Sequence, residues 1–387
     1  MSRKHAVDLV IVGGGIAGLW LGNLLSKRGY RLLLLESEAI GAGQTLASQG
    51  MIHGGIKYSL DGTRSRATDA IAAMPARWRE HLAGRGDVDL TNLRPVAKRY
   101  FLFAEDTAFD KLSSLLASKL LRDRVTKLGP NDYPAAFAQP GFKGPVYAVD
   151  DMVLDTEQLM AHLREPIAEH AYQAHIGCEH IQVNDDDVTL ELGSTTIRAA
   201  RLLLCAGAGN GPLLEKLGLV EPRMQLRPLH QVLVYHDYPH PLFAHCLTGV
   251  RGNEPRLTIT THDSSSGRVF YLGGAIAAAG VDMSIDALVE HARSELSHCL
   301  GWIDWSAARI ETLRIDRAEP RQQGGRRPDN AWVHRTGPLL TCFPTKLSLV
   351  PDLGDRVLAT LPPPAQLASP PPLTLPKAQL GTPPWSR

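Results

Sequence analysis

Residues 7–36, VDLVIVGGGIAGLWLGNLLSKRGYRLLLLE, decide how this chain begins to fold. Residues 7–12 are apolar and β-branched, which predicts a buried strand, and residues 19–29 are typical of a helix. A second apolar run, RLLLLE, follows at 31–36 and ends in an acid. The stretch therefore predicts a strand–helix–strand unit at the start of a parallel sheet.

The glycines between the first strand and the helix complete a GxGxxG pattern at Gly13, Gly15 and Gly18. Such glycines make a tight turn, let the backbone approach a pyrophosphate and allow close packing of the helix on the strand. Glu36 lies 23 residues beyond Gly13, where a carboxylate accepts hydrogen bonds from a ribose. A Gly-rich turn without a ligand is the alternative, but strand, helix and acid coincide here. We predict a dinucleotide site, and the acid disfavours NADP.

The pattern then changes in a way that bears on the choice of dinucleotide. Residues 41–62 are Gly-rich and show no helical period, whereas a nicotinamide domain would continue with further helix–strand units. The next comparable signal is an apolar strand at 202–206, followed by another Gly-rich turn and a helix. A sheet assembled from distant segments suits a cofactor longer than NAD.

Composition excludes several classes of protein. The 387 residues are 44% hydrophobic and carry 41 Lys and Arg against 40 Asp and Glu, so the charge of +1 provides no field for nucleic acid or an anionic membrane. The sequence has no run of eighteen apolar residues, so we expect no membrane-spanning helix. Five scattered cysteines without a CxxC pair favour neither a disulfide framework nor a metal site. A cytoplasmic location is expected.

Four ordered segments resemble the D-amino-acid oxidase superfamily of FAD-dependent oxidoreductases, which includes glycine oxidase, sarcosine oxidase, glycerol-3-phosphate dehydrogenase and L-2-hydroxyglutarate dehydrogenase. They are GGGIAG with its acid, GAGQTLASQGMIHGGIKY at 41–58, LLLCAGAGN at 202–210, and the pair TLRIDRAEP at 312–320 and LLTCFPTKLSLVPDLGDRVL at 339–358. The resemblance implies FAD as the cofactor. The residues it implies as cofactor contacts are Gly13, Gly15, Ile16, Ala17, Gly18, Glu36, Ser37, Gln44, Thr45, Ser48, Gln49, Gly50, Ala206, Gly207, Thr345, Lys346 and Leu347.

The chain departs from the family pattern at two places. The closing segment usually carries a Gly-His-Gly run, where this chain has residues 342–346, CFPTK. The usual Asp-Gly-x-Pro after the substrate arginine is replaced by Ala318, Glu319 and Pro320. The substrate geometry is therefore expected to differ from that of the relatives.

The resemblance implies an α/β fold in which a Rossmann-like FAD-binding domain is interleaved with an α+β substrate domain that contains a mainly antiparallel sheet. We assign 1–62, 146–221 and 328–361 to the FAD-binding domain and 63–145 and 222–327 to the substrate domain. Helices are expected at 65–83, 107–127 and 284–300. Proline occupies nine of the last 28 positions, so residues 362–387 are expected to form a flexible tail.

Arg314 in LRIDR matches the position of the family's carboxylate-binding arginine, and a guanidinium suits a planar carboxylate. An ion pair with Asp316 or Glu319 is the alternative for this side chain. Weaker candidates for the anchor of a small anionic substrate are Arg317, Arg251 and Lys57. These four cations lie in two of the family segments and one other stretch of the chain.

Two further residues are candidates for the chemistry. Lys346 matches the place where relatives position a lysine or a helix N-terminus near the flavin pyrimidine, although its backbone amide and that of Leu347 are equally good contacts. His53 in GMIHGG is the candidate base for a hydroxyl proton, because imidazole titrates near neutrality. A structural histidine or a site of covalent flavin attachment are alternatives, and His230 is the second candidate base.

The sequence thus predicts an FAD-dependent enzyme that takes a hydride from the CH–OH or CH–NH carbon of a small anion. An NAD-linked dehydrogenase and a non-catalytic binding module on a flavoprotein fold are the alternatives. The residues leave open whether oxygen, a quinone or a carrier protein accepts the electrons. IHGGIKY is most similar to the hydroxy-acid and glycerol-3-phosphate dehydrogenases, which favours an alcohol substrate.

Overall fold

The computed structural model describes residues 3–55, 70–104, 124–247, 255–265, 267–325, 328–365 and 372–386. The strands of this part of the chain are β1 Arg3–Val12, β2 Leu32–Glu36, β3 Met51–Ile52, β4 Tyr100–Ala104, β5 Val125–Lys127, β6 Tyr147–Val149, β7 Met152–Val153, β8 Ala171–Gln173, β9 Ile181–Val183, β10 Val188–Leu192, β11 Thr195–Leu204, β12 Met224–Tyr235, β13 Ala244–Leu247, β14 Leu257–Ser264, β15 Gly267–Gly273, β16 Arg309–Pro320, β17 Trp332–Thr336 and β18 Leu339–Phe343. The α-helices are α1 Ile16–Lys27, α2 Met74–Leu82, α3 Thr156–Arg164, α4 Asn210–Lys216, α5 Ala275–Ala279, α6 Ile285–Cys299 and α7 Val350–Leu358.

The first sheet has the strand order β17-β18-β11-β1-β2-β8, and β10 and β9 extend it beside β11. The pairs from β18 through β8 are parallel, which confirms the predicted strand–helix–strand unit. Both faces of β1 are buried: Leu9 and Ile11 pack toward α1 and α7, whereas Val10 and Val12 pack on the side of α4. Burial on both faces explains why these strands read as continuous apolar runs.

The second sheet has the order β16-β12-β15-β14-β13-β4-β6-β5. Its pairs are antiparallel except for β13 with β4. One face packs on α6 through a cluster that includes Phe270, Leu288 and Leu296. The predicted α/β fold with a mainly antiparallel second sheet is confirmed.

Outside the first sheet, the predicted helices are confirmed only in part. The helix expected at 284–300 is confirmed as α6, and part of the helix expected at 65–83 is confirmed as α2. The helix expected at 107–127 lies mostly outside the described residues, but its last three residues form strand β5, so that part of the prediction is wrong. Strand β6 lies in the second sheet, although it falls within a segment that we assigned to the FAD-binding domain.

The prediction of a flexible tail is wrong for residues 372–386. The backbone of this segment pairs with Ala171, Gln173 and Ile40, through bonds of 2.7–3.1 Å. Leu373, Ala378 and Trp385 are buried. Proline keeps the segment extended, but the apolar side chains between the prolines bury enough surface to hold it against the body. The residues described here contain no helix long and apolar enough to cross a membrane.

Candidate active site

A cavity of about 850 Å³ lies between the two sheets. One wall comprises residues that directly follow the carboxyl ends of parallel strands, namely Gly13 after β1 and Cys205 after β11. The opposite wall is the face of the second sheet that carries Gln231, His245 and Thr258. Ligands of open α/β sheets bind in such a crevice at the carboxyl ends of the strands.

The glycine turn after β1 is shaped for backbone contact. Gly13 has φ +108°, and a Cβ there would lie 2.6 Å from the carbonyl oxygen of Cys205. A Cβ on Gly18 would collide with the carbonyl oxygen of Gly13, so this residue serves the packing of α1 and does not line the cavity. Helix α1 begins at Ile16, whose amide donates to Thr45 Oγ1 at 3.1 Å.

Glu36 ends β2 at the cavity wall. Its Oε2 accepts the Gly14 amide at 2.5 Å, and its Oε1 accepts the Glu38 amide at 2.9 Å. These bonds fix the carboxylate at one end of the cavity, next to the glycine turn. It retains acceptor positions for the hydroxyls of a ribose, because an ionised carboxylate has about four lone-pair sites.

The loop after the acid connects the two walls. Gln49 Nε2 donates to the Tyr271 carbonyl at 2.8 Å, and Tyr271 OH donates to the Ala47 carbonyl at 2.7 Å. Burial raises the pKa of Tyr271, which keeps this phenol protonated. Gly50 has φ +68°, lies behind the loop and does not line the cavity. The predicted loop residues that do line it are Gln44, Thr45, Ser48 and Gln49.

The second Gly-rich turn follows β11. Ala206 donates its amide to Asn210 Oδ1 at 3.0 Å, and Asn210 Nδ2 donates to the Leu204 carbonyl at 3.0 Å. Gly207 has φ +57° and lines the cavity beside Ala206. Asn210 is fully buried and was not predicted as a site residue. The available sequence signal was an asparagine at the start of a helix, directly after a glycine turn.

His53 lies on the cavity wall, where its loop meets the short helix that precedes α7. Its amide donates to Ser348 Oγ at 2.9 Å, and its Nδ1 accepts the Gly55 amide at 3.2 Å. The neutral ring with this hydrogen bond carries its proton on Nε2. The second candidate base, His230, is buried with Nδ1 at 3.1 Å from the Gly280 carbonyl oxygen and is not among the residues that line this cavity.

Lys346 also lines the cavity, but its ammonium is tied to the backbone. Nζ donates to the Asp329 carbonyl at 3.2 Å and to the Pro328 carbonyl at 3.4 Å. The preceding Thr345 has φ +60°, the only positive value at a non-glycine residue in the described ranges. Leu347 starts the short helix that leads into α7, so its amide lacks an intrahelical acceptor, and the residue lines the cavity.

Arg314 is exposed and lies on β16, the edge strand of the second sheet. Its Nη1 donates to the Val281 carbonyl at 3.3 Å, and both Arg314 and Arg317 line the cavity. Glu319 does not form the alternative ion pair with Arg314, because its carboxylate pairs with Arg227 at 2.9 Å. The other two candidates, Lys57 and Arg251, lie outside the described residues.

Asp151 is a cavity residue that sequence reasoning missed. It is only 3% exposed, and its Oδ1 accepts the Gly54 amide at 2.8 Å. Burial raises the pKa of this carboxyl to about 6. Its place two residues after the apolar stretch that forms β6, next to a second aspartate, was the available sequence signal. Gln231 and His245 were missed as well, because a polar residue on a strand does not disclose which face it occupies.

The cavity fits FAD by its own chemistry. In the first glycine turn a Cβ at Gly13 or Gly18 would collide with backbone, in the second Gly207 has a positive φ, and the carboxylate of Glu36 stands next to the first turn, as a site for a pyrophosphate and a ribose requires. Apart from Gly18 and Gly50, every predicted cofactor residue lines the cavity. The three predicted catalytic residues line the same cavity.

Comparisons with known proteins agree with this site. The sequence profile of the FAD dependent oxidoreductase family, DAO, matches residues 8–335. The chain is 43% identical over 391 residues to the probable FAD-dependent oxidoreductase PA4991 of Pseudomonas aeruginosa, covering 100% of this chain and 99% of the relative. The crystal structure of that relative superposes with a TM-score of 0.84, covering 100% of this chain and 99% of the other.

More distant solved structures share the fold. Glycine oxidase from Geobacillus kaustophilus superposes with a TM-score of 0.64 at 20% identity, covering 92% of this chain and 94% of the other. L-α-glycerophosphate oxidase from Mycoplasma pneumoniae, with FAD bound, superposes with a TM-score of 0.65 at 13% identity, covering 99% and 98%. The family match and the 43%-identical relative set aside an NAD-linked dehydrogenase and a non-catalytic module. The chain belongs to the D-amino-acid oxidase family of FAD-dependent oxidoreductases.

Proposed function

We propose that this enzyme removes a hydride from the CH–OH or CH–NH carbon of a small anionic substrate. The observation that carries the proposal is the presence of Arg314 and Arg317 on the wall of the cavity, on one edge strand. A guanidinium binds carboxylate or phosphate in a bidentate manner, so either arginine can hold one anion. Two structural neighbours are named as oxidases of glycine and of glycerophosphate, and both of these compounds are acids.

The chain's residues divide into two groups in this proposal. FAD is held by the two glycine turns, by Glu36 and by the loop from Gln44 to Gln49. The amide of Leu347 binds the flavin pyrimidine. Arg314 holds the substrate anion, and the nearby charge of Lys346 favours electron transfer toward the cofactor. FAD supplies the acceptor for the hydride, while the protein supplies orientation and electrostatics.

An anaerobic reduction assay tests the proposal. Purified protein loaded with FAD is mixed without oxygen with glycerol 3-phosphate, L-2-hydroxyglutarate, L-lactate, glycine, sarcosine or L-proline, and flavin absorbance is followed. Bleaching by at least one acid is expected, and repetition under air with peroxide detection shows whether oxygen accepts the electrons. Protein that binds no FAD, or FAD that none of these compounds bleaches, would count against the proposal.

Substitution of the arginine tests how the substrate is anchored. Arg314→Ala is expected to raise the substrate concentration for half-maximal bleaching by about 10- to 100-fold, because a charge-assisted hydrogen bond contributes about 1.5–3 kcal/mol. Arg335→Ala is the matched control, since this exposed arginine lies on β17 away from the cavity. Equal responses of the two variants would contradict the role of Arg314.

The division into domains and the cellular location are also proposals. We retain the FAD-binding and substrate segments named above, with β6 transferred to the substrate domain because it pairs with β4 and β5. None of the five cysteines is in a disulfide, which supports a reducing compartment such as the cytoplasm. Fractionation of cells with an antibody against the chain tests the location.

A further inference from the structure

The carboxyl group of Asp151 is held in the cavity wall by the loop that carries His53. Its Oδ1 accepts the Gly54 amide at 2.8 Å, and Arg124 Nη2 donates to the Gly54 carbonyl at 2.6 Å. Charged side chains therefore bind both the amide and the carbonyl of Gly54. A Cβ on Gly54 would displace the Arg124 guanidinium from this position.

The other carboxyl oxygen is available to a ligand. Within the described part of the chain, Oδ2 accepts no hydrogen bond, and it is not one of the fully buried atoms without a partner. Asp151 lines the cavity beside Met51, His53 and Val149. We therefore assign Oδ2 as the carboxyl oxygen through which Asp151 meets a ligand in the cavity.

We propose that Asp151 is the catalytic residue that accepts the substrate's O–H or N–H proton, and that His53 is a donor beside it. The inference rests on the proposed function and deepens it. No other carboxyl group on the cavity wall is so deeply buried among the described residues: Glu36 ends β2 at the ribose end, and Asp316 is exposed.

The tautomer of His53 supports this division of roles. Because Nδ1 accepts the Gly55 amide, the neutral ring has its hydrogen on Nε2 and cannot take a second proton without losing the bond at Nδ1. A ring in that state donates a hydrogen bond from Nε2. An ionised carboxylate only accepts, so the two groups are complementary around one hydroxyl or amine.

The charges around Asp151 suit a proton acceptor at neutral pH. Burial raises its pKa to about 6, and the Asp150 charge acts in the same direction. The Gly54 hydrogen bond and the positive charges of Arg124 and Arg79 oppose the rise. Tyr100 is the nearby phenol, and its pKa is raised by burial and by the Asp151 charge, so it stays neutral. A base with a pKa near the working pH is efficient because it is ionised yet still basic.

The step balances for an alcohol or an amine. The hydrogen on the substrate carbon leaves with both electrons of the C–H bond, and FAD is their acceptor. The O–H or N–H electron pair becomes the second bond of the carbonyl or imine, and the proton passes to Asp151 Oδ2. The cavity opens to solvent, to which the proton is then lost, so Asp151 ends as it began.

Asp151→Asn is the sharpest test, because the amide keeps an acceptor for the Gly54 N–H but takes up no proton. Asp150→Asn is the matched control: this neighbour is exposed and pairs with Arg79 outside the cavity. Flavin bleaching is measured anaerobically from pH 5 to pH 9 with the most active compound of the panel above. Asp151→Asn is expected to be about 10²- to 10⁴-fold slower, and Asp150→Asn to keep the wild-type rate on the alkaline plateau, where Asp151 is ionised in both proteins.

The pH profile separates a proton acceptor from a structural residue. The wild-type rate should rise about tenfold per pH unit below a pKa near 6 and level off above it, because only the ionised carboxylate accepts a proton. The rate of Asp151→Asn should lack this pH-dependent rise, which we call the acid limb. Asp151→Glu, which keeps a carboxyl, should restore the limb. If Asp151→Asn does not fold, Asp151→Glu and the wild type still test for the limb.

A second readout does not depend on turnover. Protein labelled with ¹³C at the aspartate carboxyls should show, by NMR, one resonance that titrates near pH 6 and is absent from Asp151→Asn. Wild-type bleaching that Asp151→Asn matches in rate and pH profile overturns the inference alone, as does titration of the Asp151 resonance near its usual value of 3.8. If none of the panel bleaches wild-type protein, the proposed function fails and this inference falls with it.

Discussion

The indole of Trp385 stacks on the imidazole of His262, with ring centroids 4.1 Å apart and planes inclined by 25°. Burial lowers the pKa of His262 to about 3, so the ring is neutral where it meets the indole. Through this contact the C-terminal segment, which pairs with Ile40 beside the first sheet, reaches the second sheet. Pro384 lines the cavity next to Trp385. The tail therefore belongs to the site's structural frame.

Trp385→Ala is expected to lower the free energy of unfolding by about 3 kcal/mol, because a buried tryptophan side chain is replaced by a cavity. The affinity for FAD should fall as well, since Pro384 loses its anchor. Urea unfolding and FAD fluorescence quenching measure the two effects. Gln379→Ala, an exposed substitution in the same segment, should change neither quantity, and equal stability of the two variants would show that the tail is dispensable.

Gly18→Ala is expected to weaken FAD binding more than tenfold and to destabilise the fold by about 2–3 kcal/mol. The reason is the collision of the new Cβ with the Gly13 carbonyl, which must shift the turn or the helix. Gly211→Ala in α4 is the control, because its Cβ would meet Met224 at an ordinary 3.7 Å. If Gly18→Ala bound FAD as tightly as Gly211→Ala, close packing of α1 would not be required.

Asp151→Asn is expected to be more stable than wild type at neutral pH. The folded-state pKa of about 6 lies above the usual 3.8, so the folded state binds more protons between these values and wild-type stability falls as pH rises through that window. A shift of roughly two units corresponds to about 3 kcal/mol. Urea unfolding at pH 4 and pH 8 should show the advantage of the variant growing by about that amount, and a constant difference would refute the raised pKa.

The ion pair between Arg256 and Glu295 fixes α6 next to the cavity edge at Pro255, with Nη2 2.8 Å from Oε1. Glu295→Ala is expected to cost about 3 kcal/mol, because the largely buried Arg256 loses this ion pair. Thermal unfolding measures the loss. Glu290→Ala on the same helix removes a surface pair with Arg293 and should cost less than about 1 kcal/mol.

The pH dependence of that pair adds a check. Burial alone would raise the pKa of Glu295, but the hydrogen bond and charge of Arg256 outweigh it and lower the pKa below its usual 4.5. A lowered pKa stabilises the folded state above the usual value, and that contribution is lost as pH falls through the folded-state pKa. The difference between wild type and Glu295→Ala should therefore shrink as pH falls below the usual 4.5 and through the lowered folded-state pKa, whereas a difference that persists in acid would exclude ionisation as its source.

The features that the sequence predicted best are local ones. The unit from β1 through Glu36 depends on residues within 30 positions of one another, and the φ of +108° at Gly13 is a backbone conformation that favours glycine whatever surrounds it. The second turn at Ala206 and Gly207 has the same local basis. The tail shows the limit of such reasoning, because its proline content predicts an extended chain but not the surface that receives it.

By itself, the sequence determined the strand–helix–strand unit, the order of the cofactor segments and hence the family, because backbone sterics and apolar periodicity act between near neighbours. Only the tertiary structure decided that Asp151 joins His53 at one cavity, that His230 faces away from it, and that Trp385 closes the frame. Those relationships connect residues tens to hundreds of positions apart. They depend on which faces of two sheets meet, and residue type alone does not specify that.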